Sequence, residues 1–338
     1  MEKIKIAIIG YGGIARLHSA AYRNLIDMVY PIEIVAVCEK DVSRITKHLD
    51  FNLGADDTPL PDSVHIYSDA DEMIEKEGFD IADICLPTFL HKDFSIKLLR
   101  AGKHVICEKP MALSSTDCEE MIAAARAAGR RFMIGHVLRF SPEYIYLKEC
   151  INDSRFGALD NLYMDRHSVY PTWGAGNVFA DNSKTGGCTL DTHIHDIDMA
   201  CCLLGQPRAV SAVEFNKPPM YQVVTTNLFY KTATVVASCS WDSSYDTVFR
   251  AGYRARFERA SVVCEGGCVK VIPNGAEPFE PKLASESGTE RELRYMIDGV
   301  LSGETLDPFN PPEASAYSVS LIEKIRKSAG LGGEKLLI

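Results

Sequence analysis

The chain has 338 residues, of which 46% are hydrophobic and 24% are charged, a balance typical of a soluble globular protein with about two domains. Its net charge of −10 argues against a broad surface for nucleic acid or anionic membrane, because such a charge repels phosphates. No apolar run approaches the roughly 18 to 20 residues that cross a bilayer, and the first residues resemble a strand rather than a signal peptide. We therefore expect a cytoplasmic protein whose partner is a small molecule.

The first part of the chain alternates apolar strands with helical stretches. The predicted strands are 4–9, 32–38, 64–67, 81–86, 104–107 and 132–135. The predicted helices between them include 15–25, 69–75, 92–101 and 116–128, and glycines follow two of them as typical helix ends. The polar, proline-rich stretch 51–63 is predicted as a loop. This alternation indicates an α/β fold with a doubly wound parallel sheet.

The second part of the chain has a different pattern. A helical stretch at 143–150 is followed by dense strand-like runs over 209–272, without helices between them, and a helical segment at 313–328 closes the chain. Such runs indicate an α+β domain with a mainly antiparallel sheet. We predict domains at 1–138 and 139–338, and leave open whether the helix at 313–328 packs back on the first domain.

The eleven cysteines are scattered along the chain, and several of them lie inside apolar runs. No C-x-x-C pair suggests zinc or redox chemistry. We expect most of the cysteines to be small buried hydrophobic side chains, and we predict no metal site.

A glycine-rich turn follows the first strand. The stretch IIGYGGIA places Gly10, Gly12 and Ala15 in the spacing G-x-G-x-x-A, at the start of a helix. Gly10 permits a tight turn, Gly12 lets backbone N–H groups approach a pyrophosphate, and Ala15 allows close packing of the helix on the strand. The strand–turn–helix context favours dinucleotide binding over a turn that serves packing alone. Gly13 and Ile14 are the neighbouring candidate contacts.

Glu39 follows the second strand, where an acidic residue binds the ribose hydroxyls of a dinucleotide. Its carboxylate repels a 2′-phosphate, so NAD is favoured over NADP. Lys40 and Arg44 leave NADP open, although a solvated helix start is the ordinary role for both. Lys40 is kept as a candidate cofactor contact.

The stretch HVICEKPMA ends an apolar strand in an acid, a lysine and a proline. Glu108 and Lys109 therefore emerge where this strand leaves the sheet. Pro110 biases Lys109 away from the helical region and stiffens the exit, so the ammonium is aimed at a fixed point. A solvated strand exit is the alternative.

Residues 186–198, GGCTLDTHIHDID, form the second polar cluster. The helical pattern downstream predicts that Asp191 and His195 lie at i and i+4 on one helix face. A carboxylate that orients an imidazole raises its basicity, as a general base near neutral pH requires. A metal site involving His193 and His195, and a set of satisfied structural polar groups, are the alternatives.

Taken in order, these residues resemble the glucose-fructose oxidoreductase and inositol dehydrogenase family, Gfo/Idh/MocA. The likeness covers essentially the whole chain and is specific in combination. It rests on the glycine turn followed by His18, on ICLPTFLH with Pro87, Thr88 and His91, on EKP at 108–110, on LRFSP with Arg139, and on GG…LD…H at 186–195.

The resemblance implies an NAD(P)-binding Rossmann domain at 1–138 and a substrate domain at 139–338 with an open-faced sheet that often mediates oligomerisation. It also implies Lys109, Asp191 and His195 as the catalytic set. Lys109 would stabilise the reacting oxygen, and His195 would take the hydroxyl proton while Asp191 holds it. Further candidate cofactor contacts are Pro87, Thr88, His91, Glu108, Lys109 and Arg139.

Three side chains between the two motifs are candidate substrate contacts. His167, Tyr170 and Trp173 precede the histidine segment, in a place from which members of the family usually address substrate. Ordinary packing is the alternative for each. Lys109, Asp191 and His195 complete the predicted substrate site.

The function expected from this likeness is an NAD(P)-dependent dehydrogenase that acts on a secondary hydroxyl of a sugar, cyclitol or related polyol. One alternative is a glycosidase that uses NAD for a transient oxidation. Another is a non-catalytic, nicotinamide-binding regulator, against which the presence of Lys109, Asp191 and His195 speaks. A sheet with one uncovered face favours a homo-oligomer, either a dimer or a tetramer.

Overall fold

The computed structural model describes residues 3–49, 54, 56–243 and 249–338. The strands in this part of the chain are β1 (Ile4–Ile9), β2 (Ile32–Cys38), β3 (His65–Tyr67), β4 (Ile81–Ile84), β5 (His104–Glu108), β6 (Phe132–Gly135), β7 (Leu159–Val169), β8 (Ala209–Lys217), β9 (Tyr221–Phe229), β10 (Thr234–Asp242), β11 (Arg250–Phe257), β12 (Ala260–Glu265), β13 (Cys268–Pro273) and β14 (Leu336–Leu337). The α-helices are α1 (Gly13–Asp27), α2 (Ala70–Lys76), α3 (His91–Arg100), α4 (Ser115–Ala128), α5 (Pro142–Asn152), α6 (Asn182–Thr185), α7 (Gly187–Asp191), α8 (Ile194–Leu204), α9 (Gly288–Leu301) and α10 (Pro312–Gly330).

The chain divides into two compact units. The first contains the residues up to Val137, Trp173–Val178 and Gly288–Ala316; the second contains Leu138–Thr172, Phe179–Ser287 and Tyr317–Ile338. The sequence did not indicate that 173–178 and 288–316 return to the first unit. The roles predicted for 1–138 and 139–338, and for the helix at 313–328, stay predictions.

The first unit is built on a parallel six-stranded sheet in the order β3-β2-β1-β4-β5-β6. Its strands are apolar on both faces, as Ile6, Ala7 and Ile8 of β1 show by their complete burial. The strand order changes direction between β1 and β4, and ligands of such sheets bind outside the carboxyl ends of the strands at that point. The predicted doubly wound fold is confirmed.

Helices of the first unit begin and end at local signals. The Ser114 hydroxyl caps α4 by accepting a 3.2 Å hydrogen bond from the Asp117 amide, and Gly129 ends the helix with φ of +60°. The sequence did not predict α9, which packs against α1 and buries Leu293 and Ile297. A helix from far along the chain therefore completes the first unit.

The second unit contains an eight-stranded sheet in the order β13-β12-β11-β7-β10-β9-β8-β14. Neighbouring strands are antiparallel except for β7 and β10, which are parallel. Along β10, buried residues such as Cys239 and Trp241 alternate with half-buried residues such as Ser238 and Ser240. Helices α7 and α8 contact the sheet on β10 and its neighbours. This pattern confirms a mainly antiparallel sheet with one open face.

Two sequence expectations concern segments outside the sheets. In the predicted loop 51–63, residues 51–53 and 55 lie outside the described residues, and the remaining positions carry neither helix nor strand. In the described part of the chain, no helix is both long enough and apolar enough to cross a bilayer.

Candidate active site

The glycine turn between β1 and α1 has the geometry of a phosphate-binding turn. Gly10 has φ of +83°, and a Cβ there would lie 2.7 Å from the Cys85 carbonyl oxygen, so only glycine fits. A Cβ at Gly12 would meet nothing within 4 Å. Helix α1 begins at Gly13 without a side-chain cap, which directs uncapped N–H groups and the positive end of the helix dipole at this space. The arrangement fits a dinucleotide pyrophosphate.

Glu39 lies beside this turn, directly after β2. Its Oε2 accepts a 2.9 Å hydrogen bond from the Tyr11 amide, and its Oε1 accepts a 3.0 Å hydrogen bond from the Asp41 amide. The carboxylate is therefore held in one orientation next to the glycine turn, as a ribose-binding acid must be. Lys40 is exposed and Arg44 is half-buried on the following segment.

Residues 87–91 connect β4 to α3. Pro87 precedes a 3₁₀ turn at Thr88–Leu90, and the Thr88 side chain is buried. The His91 ring lies 2.8 Å from the Pro110 carbonyl oxygen through Nδ1 and 2.7 Å from the Leu86 carbonyl oxygen through Nε2. Both ring nitrogens thus face backbone carbonyl oxygens at two strand exits, and the contact of His91 with the cofactor stays a prediction.

Strand β5 ends at Glu108, and the half-buried Lys109 leaves the sheet as predicted from the sequence. The Lys109 amide donates a 3.1 Å hydrogen bond to Glu108 Oε2. Glu108 Oε1 lies 3.2 Å from His18 Nε2. Burial opposes ionisation of Glu108, but the hydrogen bond and charge of His18 hold the pKa of this carboxyl below its ordinary value. The backbone that carries Lys109 is therefore fixed by an ionised side chain.

In the second unit, Asp191 and His195 do not lie on one helix. Asp191 is the last residue of α7 and His195 is the second residue of α8. The helix is interrupted between them, at Thr192 and His193. The Thr192 hydroxyl donates to Asp191 Oδ2 at 3.2 Å and accepts a 2.8 Å hydrogen bond from the Trp241 indole N–H. The prediction that Asp191 and His195 share one continuous helix is therefore wrong. Asp191 and His195 are both half-buried.

The start of α7 is held by Gln222 of β9. The Gln222 Oε1 accepts a 2.8 Å hydrogen bond from the Cys188 amide, and its Nε2 donates to the Tyr170 hydroxyl at 3.2 Å. The Tyr170 hydroxyl in turn donates to the Phe179 carbonyl oxygen, and its ring packs edge-on against Trp241. Tyr170 is thus a buried support of the segment that leads to Asp191, and its contact with substrate stays a prediction.

The remaining predicted residues each have local partners or surroundings of their own. His167, on β7, bonds through Nδ1 to Ser240 Oγ at 2.7 Å. Trp173 belongs to the segment Trp173–Val178 of the first unit and is half-buried. The Arg139 guanidinium makes two hydrogen bonds of 2.8 and 2.7 Å to the buried Asp198 carboxylate. This pair neutralises the buried Arg139 guanidinium within the second unit, and the contact of Arg139 with the cofactor stays a prediction.

The metal alternative for residues 186–198 finds no support in the geometry. His193 is buried in the core, where Nε2 bonds to the Thr226 hydroxyl at 2.9 Å, and burial lowers the pKa of His193 to about 3. Among the described residues, the groups of side chains close enough to share an ion include neither His193 nor His195.

The sequence matches family models over most of its length. Residues 4–136 match the model described as "Oxidoreductase family, NAD-binding Rossmann fold" (GFO_IDH_MocA), and residues 144–270 match that of the GFO/IDH/MocA C-terminal domain.

Individual relatives agree with these matches. Inositol 2-dehydrogenase of Salmonella typhimurium (strain LT2) is 30% identical over 225 residues, which are 66% of this chain and 60% of that protein. D-glucoside 3-dehydrogenase of Escherichia coli (strain K12) is 30% identical over 223 residues, which are 63% of this chain and 58% of that protein. The chain thus matches about 60% of the length of these relatives.

Among solved structures, aldose-aldose oxidoreductase from Caulobacter crescentus, complexed with glycerol, superposes with a TM-score of 0.82 at 24% identity. The superposition covers 100% of both chains. It shows that the two proteins share their fold.

Proposed function

The chain belongs to the Gfo/Idh/MocA oxidoreductase family, and from this premise we propose that it transfers a hydride between NAD and a secondary hydroxyl or ketone of a sugar, cyclitol or related polyol. The curated relatives support this substrate class, since one is named for inositol and another for a D-glucoside. The observation that carries the proposal is the position of Lys109 at the carboxyl end of β5. Its backbone N–H is held there by a hydrogen bond to the Glu108 carboxylate.

The first unit contains residues 4–136, which match the family's NAD-binding domain. The open space at Gly12 and the uncapped start of α1 fit the pyrophosphate, and the carboxylate of Glu39 fits the ribose hydroxyls. We propose that NAD is used in preference to NADP because the fixed Glu39 carboxylate repels a 2′-phosphate.

Three side chains carry the proposed chemistry. NAD, when bound, supplies the hydride acceptor. The Lys109 ammonium donates a hydrogen bond to the reacting oxygen and stabilises the negative charge that develops there. His195 removes the hydroxyl proton, and Asp191 orients the His195 ring for that transfer. Thr192 holds the Asp191 carboxylate through its hydroxyl hydrogen bond.

We also propose that the protein works in the cytoplasm as a homo-oligomer. All eleven cysteines are free thiols, which agrees with a reducing compartment. The open face of the second unit's sheet exposes large side chains such as Tyr163, and self-association would cover them.

The direct test is a panel of inositols, aldoses and glucosides, each assayed with NAD and with NADP by the absorbance of the reduced nicotinamide. We expect reduction of NAD with at least one polyol of this panel. Cleavage of a chromogenic glycoside without accumulation of NADH would instead identify a glycosidase that oxidises its substrate transiently. Tight NAD binding without any turnover would point to a regulator.

A further inference from the structure

A buried polar cluster lies in the first unit behind the exit of β5. His18 and Tyr22 come from α1, Asp83 and Cys85 from the end of β4, and Glu108 from the end of β5. All five side chains are buried, at 7% exposure or less. None of them has a role in the hydride transfer proposed above, although Glu108 is the neighbour of Lys109.

His18 stands between two carboxylates. Its Nδ1 lies 2.9 Å from Asp83 Oδ2, and its Nε2 lies 3.2 Å from Glu108 Oε1. A neutral imidazole has one N–H and one lone pair, so it can donate to only one of these oxygens. Both contacts are satisfied together only when the ring is an imidazolium or when one of the carboxyls carries a proton.

The other contacts of the two carboxylates show that both act as acceptors. Asp83 Oδ2 also accepts a 3.0 Å hydrogen bond from the Tyr22 hydroxyl, and Asp83 Oδ1 lies 3.4 Å from the Cys85 thiol. Glu108 Oε2 accepts from the Lys109 amide. Burial raises the pKa of both Tyr22 and Cys85, which keeps them in their protonated, donating forms. A protonated carboxyl also accepts such hydrogen bonds, so these contacts alone leave the second proton open between His18 and the two carboxyls. The pKa of His18 is raised well above its ordinary value and that of Glu108 is held below its own, which assigns the proton to His18.

The electrostatic surroundings agree with this assignment. Burial alone lowers the pKa of His18, but the neighbouring Asp83 carboxylate raises it well above its ordinary value. Glu292 of α9 brings a further buried carboxyl group to the cluster, within 4.8 Å of the interacting atoms of His18 and Glu108. The cation facing Glu108 from the other side is Lys109, whereas burial lowers the pKa of the nearby His91.

Glu108 has little freedom to leave this position. On the adjacent strand β6, Gly135 supplies no side chain, and a Cβ there would lie 3.0 Å from Glu108 Oε1. The carboxylate therefore fills the space that Gly135 leaves. It connects the His18 ring on one side to the Lys109 backbone N–H on the other.

We infer that His18, as an imidazolium held between Asp83 and Glu108, is a positioning residue that fixes the Glu108 carboxylate and thereby the backbone from which Lys109 departs. The part of this inference that concerns turnover rests on the proposed function, because it assumes that Lys109 contacts the reacting oxygen. The part that concerns the charge of His18 and the order of Lys109 does not.

The first test measures the charge directly. In protein labelled with ¹⁵N-histidine, we expect the His18 ring, assigned by its absence in His18→Gln, to show two protonated nitrogens at about pH 8, where ordinary histidines are neutral. A neutral ring at that pH would overturn the inference. Stoichiometric zinc in the purified protein would also overturn it, because the His18, Asp83 and Cys85 atoms lie close enough to share an ion.

The second test measures positioning in His18→Gln, with Tyr22→Phe as the matched control that removes a different hydrogen bond to Asp83. We expect His18→Gln to speed amide hydrogen exchange at Lys109 by about tenfold or more, and Tyr22→Phe to leave it near the wild-type rate. Equal exchange rates in the wild type and His18→Gln would overturn the positioning role. If His18→Gln does not fold, Asp83→Asn takes its place, with the same expected change at Lys109.

The third test links the cluster to turnover. We expect His18→Gln to lower kcat by about tenfold to a hundredfold, the scale of a misplaced catalytic group, while the Kd for NAD changes little. An unchanged kcat would contradict the link to catalysis. If the wild type oxidises no polyol, the proposed function fails, and the ring charge and the Lys109 exchange rate still decide the inference.

Discussion

The indole N–H of Trp241 donates a 2.8 Å hydrogen bond to the hydroxyl oxygen of Thr192, the residue that directly follows Asp191. Trp241 is 1% exposed, and its ring is packed edge-on by Tyr170 and Phe179. Because the Thr192 oxygen accepts from Trp241, its single proton is directed to Asp191 Oδ2, 3.2 Å away. A fully buried aromatic of β10 thus sets the orientation of a proposed catalytic carboxylate.

Replacing Thr192 with valine keeps the shape of the side chain and removes its hydroxyl. We expect Thr192→Val to lower kcat by about tenfold or more, because Asp191 loses the donor that orients it, with little change in the Kd for NAD. The free energy of unfolding should fall by about 1 to 3 kcal/mol, since the buried Trp241 N–H loses its partner. Steady-state kinetics, NAD titration and urea unfolding measure these effects.

The matched variant is Thr192→Ser, which keeps the hydroxyl. It should retain most of the wild-type turnover. Equal loss of turnover in the serine and valine variants would show that the methyl group, and not the hydrogen bond, matters at this position.

Lys109→Met removes the ammonium while keeping most of the aliphatic stem. Turnover should fall by roughly two to three orders of magnitude, the scale on which one preorganised donor acts, while NAD affinity changes little. The control is Lys103→Met. Lys103 directly precedes the opposite end of β5, and its ammonium donates a 2.8 Å hydrogen bond to the Phe79 carbonyl oxygen. Near-wild-type turnover in a folded, NAD-binding Lys109→Met protein would remove the proposed mechanism.

Glu39→Ala removes the carboxylate that is held by the Tyr11 and Asp41 amides. We expect weaker NAD binding and a smaller preference for NAD over NADP. The ribose hydroxyls of NAD lose a hydrogen-bond acceptor, and the 2′-phosphate of NADP is no longer repelled by the carboxylate. Fluorescence titration with both nucleotides measures the change. Glu33→Ala, on the same strand, removes a surface ion pair with Lys3 and should leave both affinities unchanged. Tighter binding of NADP than NAD by the wild type would refute the cofactor preference.

His193 makes stability depend on pH. Its ring is neutral in the folded core with a pKa of about 3, whereas an unfolded histidine titrates near pH 6.5. Between the folded and the unfolded pKa only the unfolded state binds the proton. The contribution of His193 to the free energy of unfolding therefore decreases by about 1.4 kcal/mol for each pH unit as the pH falls. Urea unfolding from about pH 7 to pH 4 should therefore show a shallower decline for His193→Gln than for the wild type. Parallel declines would mean that His193 is protonated in the folded protein.

Local patterns along the sequence determined the first unit's sheet and its glycine turn. The mainly apolar runs at Ile32–Cys38 and Phe132–Gly135 predicted β2 and β6 with the bounds that the structure shows, because strands of a parallel sheet covered on both faces are rich in apolar residues. Gly10 was predicted at the tight turn for a similarly local reason, since its positive φ excludes other residues. The exit of Lys109 from β5 followed from Pro110.

Only the tertiary structure decided which polar groups meet. The partners of Arg139, His91 and Tyr170 lie between 5 and 59 residues away in the chain, and each contact involves a polar group that the sequence had assigned to the cofactor or the substrate. No local pattern indicates such partners, because a buried polar group takes whichever donor or acceptor the packed elements bring to it. The hydrogen bond from Trp241 to Thr192 was missed for the same reason, since the two residues lie 49 positions apart. Residue type and spacing thus predicted the strands and turns, while packing decided which of the polar side chains remain available for chemistry.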